Sequence, residues 1–174
     1  MFKLWKLHGL QLRAHLKTAQ FVLFGFVPWF NFLQQQGPVL KDEAVLKIGV
    51  SKTCKSVRFH FFATVARSEA TRGKGLSNRK KQLDPNEAML FVFNPPESTR
   101  FWMKDTLIPL QIAYFNPQGK LVELYEMSVE QSPANPKTQY SSKNKVSAAL
   151  EVSPGTFSIA YEKQPHYLCV DLKN

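Results

Sequence analysis

Residues 102–106 read Trp-Met-Lys-Asp-Thr, the stretch with the most varied side-chain chemistry in the chain. On an extended strand, alternate side chains face opposite ways. Trp102, Lys104 and Thr106 would then share one face, and Phe101, Met103 and Asp105 the other. An indole beside an ammonium and a hydroxyl can both stack on a ligand and hydrogen-bond it. A sugar, with apolar faces and hydroxyl edges, suits such a surface, and Lys104 adds attraction for an anionic group. The plain alternative is that Trp102 packs one end of a barrel and Lys104 is solvated, since aromatic residues on strands serve mostly as packing. Arg72, Arg79, Lys80 and Lys81 form a second group. An arginine can clamp a carboxylate or phosphate with its fork of donors. Arg72 and Arg79 equally suit a buried structural ion pair with Glu87 or Glu151, and Lys80 and Lys81 a solvated surface.

Catalytic constellations are sparse. Beyond residue 40 the histidines are His60 and His166, without metal-ligand spacing. Cys54 or Cys169 beside a histidine would make a thiol nucleophile, which nothing in the spacing supports. Asp105 and Glu123 are a carboxylate pair that cross-strand contact could bring together. Gly73-x-Gly75 is too short to cradle a phosphate and follows a helix instead of opening one. No catalytic residue, metal or cofactor is assigned, and the reading leans away from an enzyme.

These residues need a scaffold, and the 174-residue chain is long enough for one domain behind a targeting segment. Residues 1–18 carry Lys3, Lys6, Arg13 and Lys17 and no acid, and residues 19–33 are almost wholly apolar. A basic stretch followed by an apolar one is the pattern of an export signal. The apolar run is shorter than a comfortable bilayer span and is interrupted by Gly25 and Pro28. No Ala-x-Ala site follows it. A retained anchor and a cleaved signal therefore both stand, beside an interfacial helix and an organelle transit peptide. The basic cluster before the apolar run places the domain outside the cytoplasm. Residues 1–40 are assigned to this segment and its linker, and residues 41–174 to a single domain.

The formal charge is +10. Setting aside the four N-terminal cations leaves 19 basic against 13 acidic groups, a net +6. A moderately basic surface favours anionic partners or is simply soluble. The two cysteines, Cys54 and Cys169, are too few for a disulfide scaffold or a zinc site. They lie near the two ends of the domain, and first and last strands of a barrel or sandwich are often neighbours. Either they form one disulfide, which needs an oxidising compartment, or both remain unpaired.

Within the domain, residues 57–65 alternate with period two, the mark of a strand with one buried face. Ser68 caps a short helix from Glu69 that Gly73 and Gly75 stop. Residues 44–50, 89–93, 101–103, 146–152 and 166–172 are further strand candidates. Residues 112–115 and 121–124 flank Asn116-Pro117-Gln118-Gly119, a hairpin turn. Residues 128–144 form a long polar loop. Seven to eight short strands with one short helix make the domain mainly β, a small barrel or sandwich.

Four segments carry a resemblance: Glu-Ala-Thr-Arg-Gly-Lys-Gly-Leu-Ser-Asn-Arg at 69–79, Ala-Met-Leu-Phe-Val-Phe at 88–93, Phe-Trp-Met-Lys-Asp-Thr-Leu-Ile-Pro-Leu at 101–110 and Ala-Leu-Glu-Val at 149–152. Together they resemble the family called domain of unknown function number 192, over about residues 44–172. The tryptophan motif is long enough to be specific. The resemblance implies a small, mostly β domain, often behind a signal sequence, with no established activity to carry over. Ser77 stands where the pattern has Met, Ala88 where it has Gly, Asp105 where it has Asn and Gln111 where it often has Asp. The segment 161–166 lacks the usual Gly.

An aromatic–basic motif without an activated nucleophile points to a non-catalytic binding or accessory module of the cell envelope. Its ligand would be a glycan, an anionic polymer or another envelope protein, met by Trp102, Lys104, Asp105 and Thr106 with Arg72 and Arg79 at the rim. The alternative is an enzyme on envelope carbohydrate with paired carboxylates as acid and base. Nucleic acid is not an expected partner, because only the net charge favours it and no binding motif is present.

Overall fold

A computed structural model describes residues 43–157 and 163–169. The export or anchor segment expected over residues 1–40 lies outside them. In chain order the elements are β1 (Glu43–Gly49), β2 (Val57–Ala66), α1 (Glu69–Lys74), β3 (Glu87–Glu97), β4 (Arg100–Phe101), β5 (Leu110–Phe115), β6 (Leu121–Met127), β7 (Tyr140–Ser141), β8 (Val146–Val152) and β9 (Tyr167–Leu168). The fold is mainly β, as the alternation and turn signals predict. The strand count among the described residues reaches nine because β7, inside the segment read as a loop, is only two residues long, too short to show a period.

Seven strands form one sheet in the order β6-β5-β8-β3-β2-β1-β9, and β4 pairs separately with β7. Neighbours in the large sheet are antiparallel except β2 and β3, which run parallel. A parallel pair needs a crossover, and α1 provides it. Its start is fixed by a capping box: the Thr71 amide donates to the Ser68 hydroxyl at 3.1 Å and the Ser68 amide to the Thr71 hydroxyl at 3.1 Å. Its end is fixed by Gly75, at φ 48°, whose amide donates to the Thr71 carbonyl.

The sheet curls into a half-barrel whose two edges touch at β9. On one side Ile48 and Gly49 pair with Leu168 and Tyr167. On the other, the Leu168 amide donates to the Gly119 carbonyl at 2.7 Å and the Leu121 amide to the His166 carbonyl at 2.8 Å. Gly119 is the hairpin glycine, at φ 74°, and a Cβ there would lie 3.0 Å from the Leu168 carbonyl oxygen. Both the turn and the close approach of β9 require it. Cys54 and Cys169 form a disulfide across the same seam, with their Cα atoms 5.8 Å apart.

Curling gives the sheet two unlike faces. The concave face gathers residues from all seven strands, including Leu46, Phe61, Leu90, Phe115, Leu150 and Leu168. Burying each of the larger of these contributes about 1.5–3 kcal/mol. The convex face gathers Met89, Phe91, Phe93, Ile112, Tyr114 and Ala149 from the middle strands, with Met103 and Ile108 from the loop after β4 laid over them. β5 is buried at every position because it has packing on both sides.

One expected strand is shorter than the sequence suggests, and another is described only in part. The segment 101–103 is extended only at Arg100–Phe101. Beyond it the chain turns: the Thr106 amide donates to the Met103 carbonyl at 3.2 Å and Asp105 sits at φ 52°. Of the segment 166–172, Tyr167–Leu168 is strand, and residues 170–172 lie outside the described residues. The polar loop after β6 is organised by Glu130, whose carboxylate accepts the amides of Thr138 at 2.8 Å and Lys137 at 3.2 Å. Those bonds, Thr138 foremost, hold its carboxyl below the ordinary range.

Candidate functional site

A cleft of ≈ 350 Å³ opens on the convex face, between α1 with the turn that follows it and the loop after β4. Its floor is Phe91 and Phe93 of β3 and Glu151 of β8. The helix end lies near this floor: a Cβ at Gly75 would make ordinary contact with the Phe91 ring at 3.7 Å, and the φ of 48° is what calls for glycine. The other wall is hung from the two-stranded ribbon. The Thr99 amide donates to the Ser142 hydroxyl at 3.0 Å and the Ser142 amide to the Thr99 carbonyl at 2.9 Å. The Tyr114 hydroxyl, rising from the sheet, donates to the Tyr140 carbonyl at 2.6 Å. Phe101 then packs edge-on against Phe91, with ring centroids 4.7 Å apart.

Four of the side chains singled out in the sequence meet here: Arg72, Trp102, Lys104 and Thr106 all line the cleft. Trp102 is 53% exposed, which rules out core packing as its role. The Lys104 ammonium lies 5.6 Å from the centre of its ring, a cation–π contact. Thr106 is buried and its hydroxyl donates to the Lys104 carbonyl at 3.2 Å, which fixes the turn. The Arg72 guanidinium sits 5.5 Å from the centre of the Phe93 ring and donates from Nη1 to the carbonyls of Arg67 at 2.6 Å and Val92 at 3.3 Å. The predicted sharing of one face by Trp102, Lys104 and Thr106 is thus reached by a turn and not by a strand.

Arg79 and Asp105 are not among the lining residues. Arg79 is locked in a two-pronged ion pair with Glu87, at 2.8 and 2.7 Å, and its Nε donates to the Lys81 carbonyl at 2.7 Å. Asp105 works through its backbone: its amide donates to the Pro133 carbonyl and its carbonyl accepts the Asn78 amide, both at 2.7 Å. Its left-handed φ explains why the family pattern has Asn here, and Asp is the substitute that tolerates the same conformation. The carboxylate pair considered for Asp105 and Glu123 does not form a unit either. Glu123 turns both oxygens to the Lys143 amide, at 2.8 Å each. Among the described residues, no three His, Cys, Asp or Glu side chains gather as a metal site would require.

The residue that sequence reasoning passed over is Glu151, weighed there only as an arginine partner. It is 5% exposed, and its Oε2 is buried without a hydrogen-bond partner among the described residues. Burial pushes its carboxyl up to about 8, so at neutral pH it holds its proton. Tyr114, raised by its own burial and further by Glu151, is neutral beside it. The signal in the sequence was a lone acid in an otherwise uncharged strand, Val-Ser-Ala-Ala-Leu-Glu-Val. Glu69 and Glu97 also line the cleft, both exposed.

No curated protein matches the chain in sequence. Two solved structures share its fold. One, from Novosphingobium aromaticivorans, is a protein of unknown function, 23% identical, with a TM-score of 0.57 over 74% of this chain and 85% of that one. The other, from Sinorhizobium meliloti, is described as a candidate transcription regulator. It is 22% identical, with a TM-score of 0.59 over 73% of this chain and 92% of that one. At these identities the likeness is one of fold. A family profile, described as Uncharacterized ACR, matches residues 51–161, which take in the cleft's helix, its tryptophan motif and Glu151. The chain belongs to the domain of unknown function 192 family.

Proposed function

We propose that the protein is a non-catalytic binding module of the cell envelope, held outside the cytoplasm, and that the convex-face cleft takes a glycan. The single observation behind this reading is Trp102, half in solvent, lining the same formed cleft as the buried carboxyl of Glu151. An exposed indole offers a platform for the apolar face of a sugar ring, and a protonated carboxyl can both donate to and accept from ring hydroxyls. Anionic polymers and envelope proteins, the other partners expected from the sequence, use the basic rim but have less need of that floor. Placement outside the cytoplasm is supported by the basic-then-apolar N-terminus and by the Cys54–Cys169 disulfide, a bond of oxidising compartments.

Isothermal titration of the full chain with neutral and acidic oligosaccharides, and with polyphosphate as a plain polyanion, tests this. Saturable binding of a saccharide, weakened about tenfold or more in Trp102→Ala, is the expected result; a tenfold change is about 1.4 kcal/mol. Equal binding by Trp102→Ala, or binding of polyphosphate alone, removes the glycan reading.

Glu151 also supports a second reading, an enzyme on envelope carbohydrate. A carboxyl that keeps its proton at neutral pH is what a general acid requires. On this reading Glu151→Gln loses turnover of an aryl glycoside while still binding it. No turnover by the unaltered protein leaves the binding module.

A further inference from the structure

The glycan reading leaves open which sugars fit, and the cleft itself narrows the choice. Its lining includes four cations, Arg72, Lys74, Arg100 and Lys104, against two exposed acids, Glu69 and Glu97. Lys74, Arg100 and Lys104 have no ion-pair partner among the described residues. The floor is different. There, Phe91 and Phe93 line the cleft together with Glu151, whose Oε2 is buried without a partner among the described residues. A buried polar atom left unpaired costs free energy unless something satisfies it. Glu151 itself lines the open cleft, so a bound group can reach its carboxyl. The cleft volume suits a ligand the size of a mono- or disaccharide.

The geometry points to an acidic sugar as the ligand, with its hydroxyls on Glu151 at the floor and its carboxylate or phosphate among Lys104, Arg100 and Arg72 at the rim. This inference rests on the glycan reading and adds to it the ligand's charge and the residue that selects it. The two ends of the site discriminate by different physics. The rim cations draw an anion through long-range attraction, which salt screens. The floor carboxyl accepts only a group that can hydrogen-bond it, and it does so as an uncharged acid. Burial keeps its proton in place at neutral pH. Tyr114 from β5 is neutral, Arg72 from α1 is cationic, Lys104 and Arg100 are cationic across the cleft, and Glu97 is at the end of β3.

A consequence is that binding depends on the Glu151 proton. Once Glu151 ionises it loses its donor and repels the anionic ligand. Affinity should then stay level up to about pH 8 and fall about tenfold per pH unit beyond it.

The test is calorimetric titration of the full chain with digalacturonate and with the neutral galactose disaccharide, from pH 6 to pH 9.5. The acidic disaccharide should bind at least about tenfold more tightly than the neutral one at pH 7, and Lys104→Gln should reduce that preference. Binding by the unaltered protein should collapse above pH 8. Glu151→Gln, which keeps the shape and a donor but cannot ionise, should hold its affinity within about threefold across the range. Glu151→Ala should bind weakly at every pH. If Glu151→Ala does not fold, the pH profile of Glu151→Gln decides alone. A neutral disaccharide bound as tightly as the acidic one, or the same alkaline loss in Glu151→Gln, overturns this inference and leaves the glycan reading standing. Absence of saccharide binding, or indifference to Trp102→Ala, overturns both.

Discussion

The cleft and the seam each bury a polar atom without a partner among the described residues, and they treat it in opposite ways. At the seam, the His166 ring packs against those of Phe59 and Phe157, with centroids 5.8 and 5.9 Å away, and its Nδ1 has no partner among the described residues. Around it the chain closes tightly: Gly119 has no room for a Cβ, the disulfide crosses alongside, and backbone bonds join β9 to both edges. At the cleft, Glu151 is just as buried, yet it faces open volume with a half-exposed tryptophan above it. One unpaired atom belongs to a side chain packed into the seam, and the other to a side chain that lines an open cleft. Burial of a titratable group is therefore no guide to function by itself. What the group faces makes the difference.

The largest effect should come at the seam. The disulfide closes a separation of 115 residues, and opening such a loop costs about 4–5 kcal/mol in the chain-entropy model. Cys54→Ser/Cys169→Ser should lower unfolding stability in urea by roughly 2–5 kcal/mol while leaving saccharide binding at the cleft intact. Loss of binding in a folded double variant would break the separation of the two regions.

Next comes the pH dependence of stability, where the regions should slope in opposite directions. Glu151 has its folded pKa raised, so between about pH 4.5 and 8 the unfolded chain sheds this proton while the folded one keeps it. Stability from this group is complete below that window and falls by up to about 1.4 kcal/mol per pH unit across it. Glu151→Gln should remove that slope. His166 is lowered, chiefly by burial and also by Arg58. Its contribution is present above the ordinary histidine range and lost as the pH falls through its depressed folded value. Urea melts of the unaltered protein, Glu151→Gln and His166→Gln between pH 4 and pH 9 separate the two. A His166→Gln profile that changes only on the alkaline side would contradict the assignment.

Gly119→Ala should cost about 1–3 kcal/mol, because it needs a left-handed residue and meets the Leu168 carbonyl. Trp102→Ala should change stability least, within about 0.5 kcal/mol, since the side chain is exposed. A large loss of stability on removing Trp102 would make it a packing residue after all.

The sequence shows the fold wherever the information is local. The alternation at 57–65 marks β2, Ser68 and Gly75 bracket α1, and the Asn-Pro-Gln-Gly turn sets the β5–β6 hairpin. What is not legible depends on distant residues. The parallel pairing of β2 with β3, the β4–β7 ribbon and the two-residue β9 all follow from where the sheet's edges come to lie. The cleft is half legible for the same reason. Arg72, Trp102 and Lys104 stand out by type, and the exit from strand geometry after Phe101 hides how they converge. Glu151 is obscured by its setting, because a strand buried on both faces has no alternation to show which way an acid points.

The two-residue β9 also determines what the molecule can stick to. It occupies the free hydrogen-bonding side of β1 at Ile48 and Gly49 and reaches the residues that lead into β6, the strands at the two margins of the sheet. Without it, the end of β1 and the entry to β6 would present unpaired backbone groups to any passing chain, the starting point for strand-to-strand aggregation. Its short length is enough for that task, because a guard needs only to spoil the register in which another strand would dock. A protein trimmed before Tyr167 would keep its cleft residues and lose its protection against its own copies.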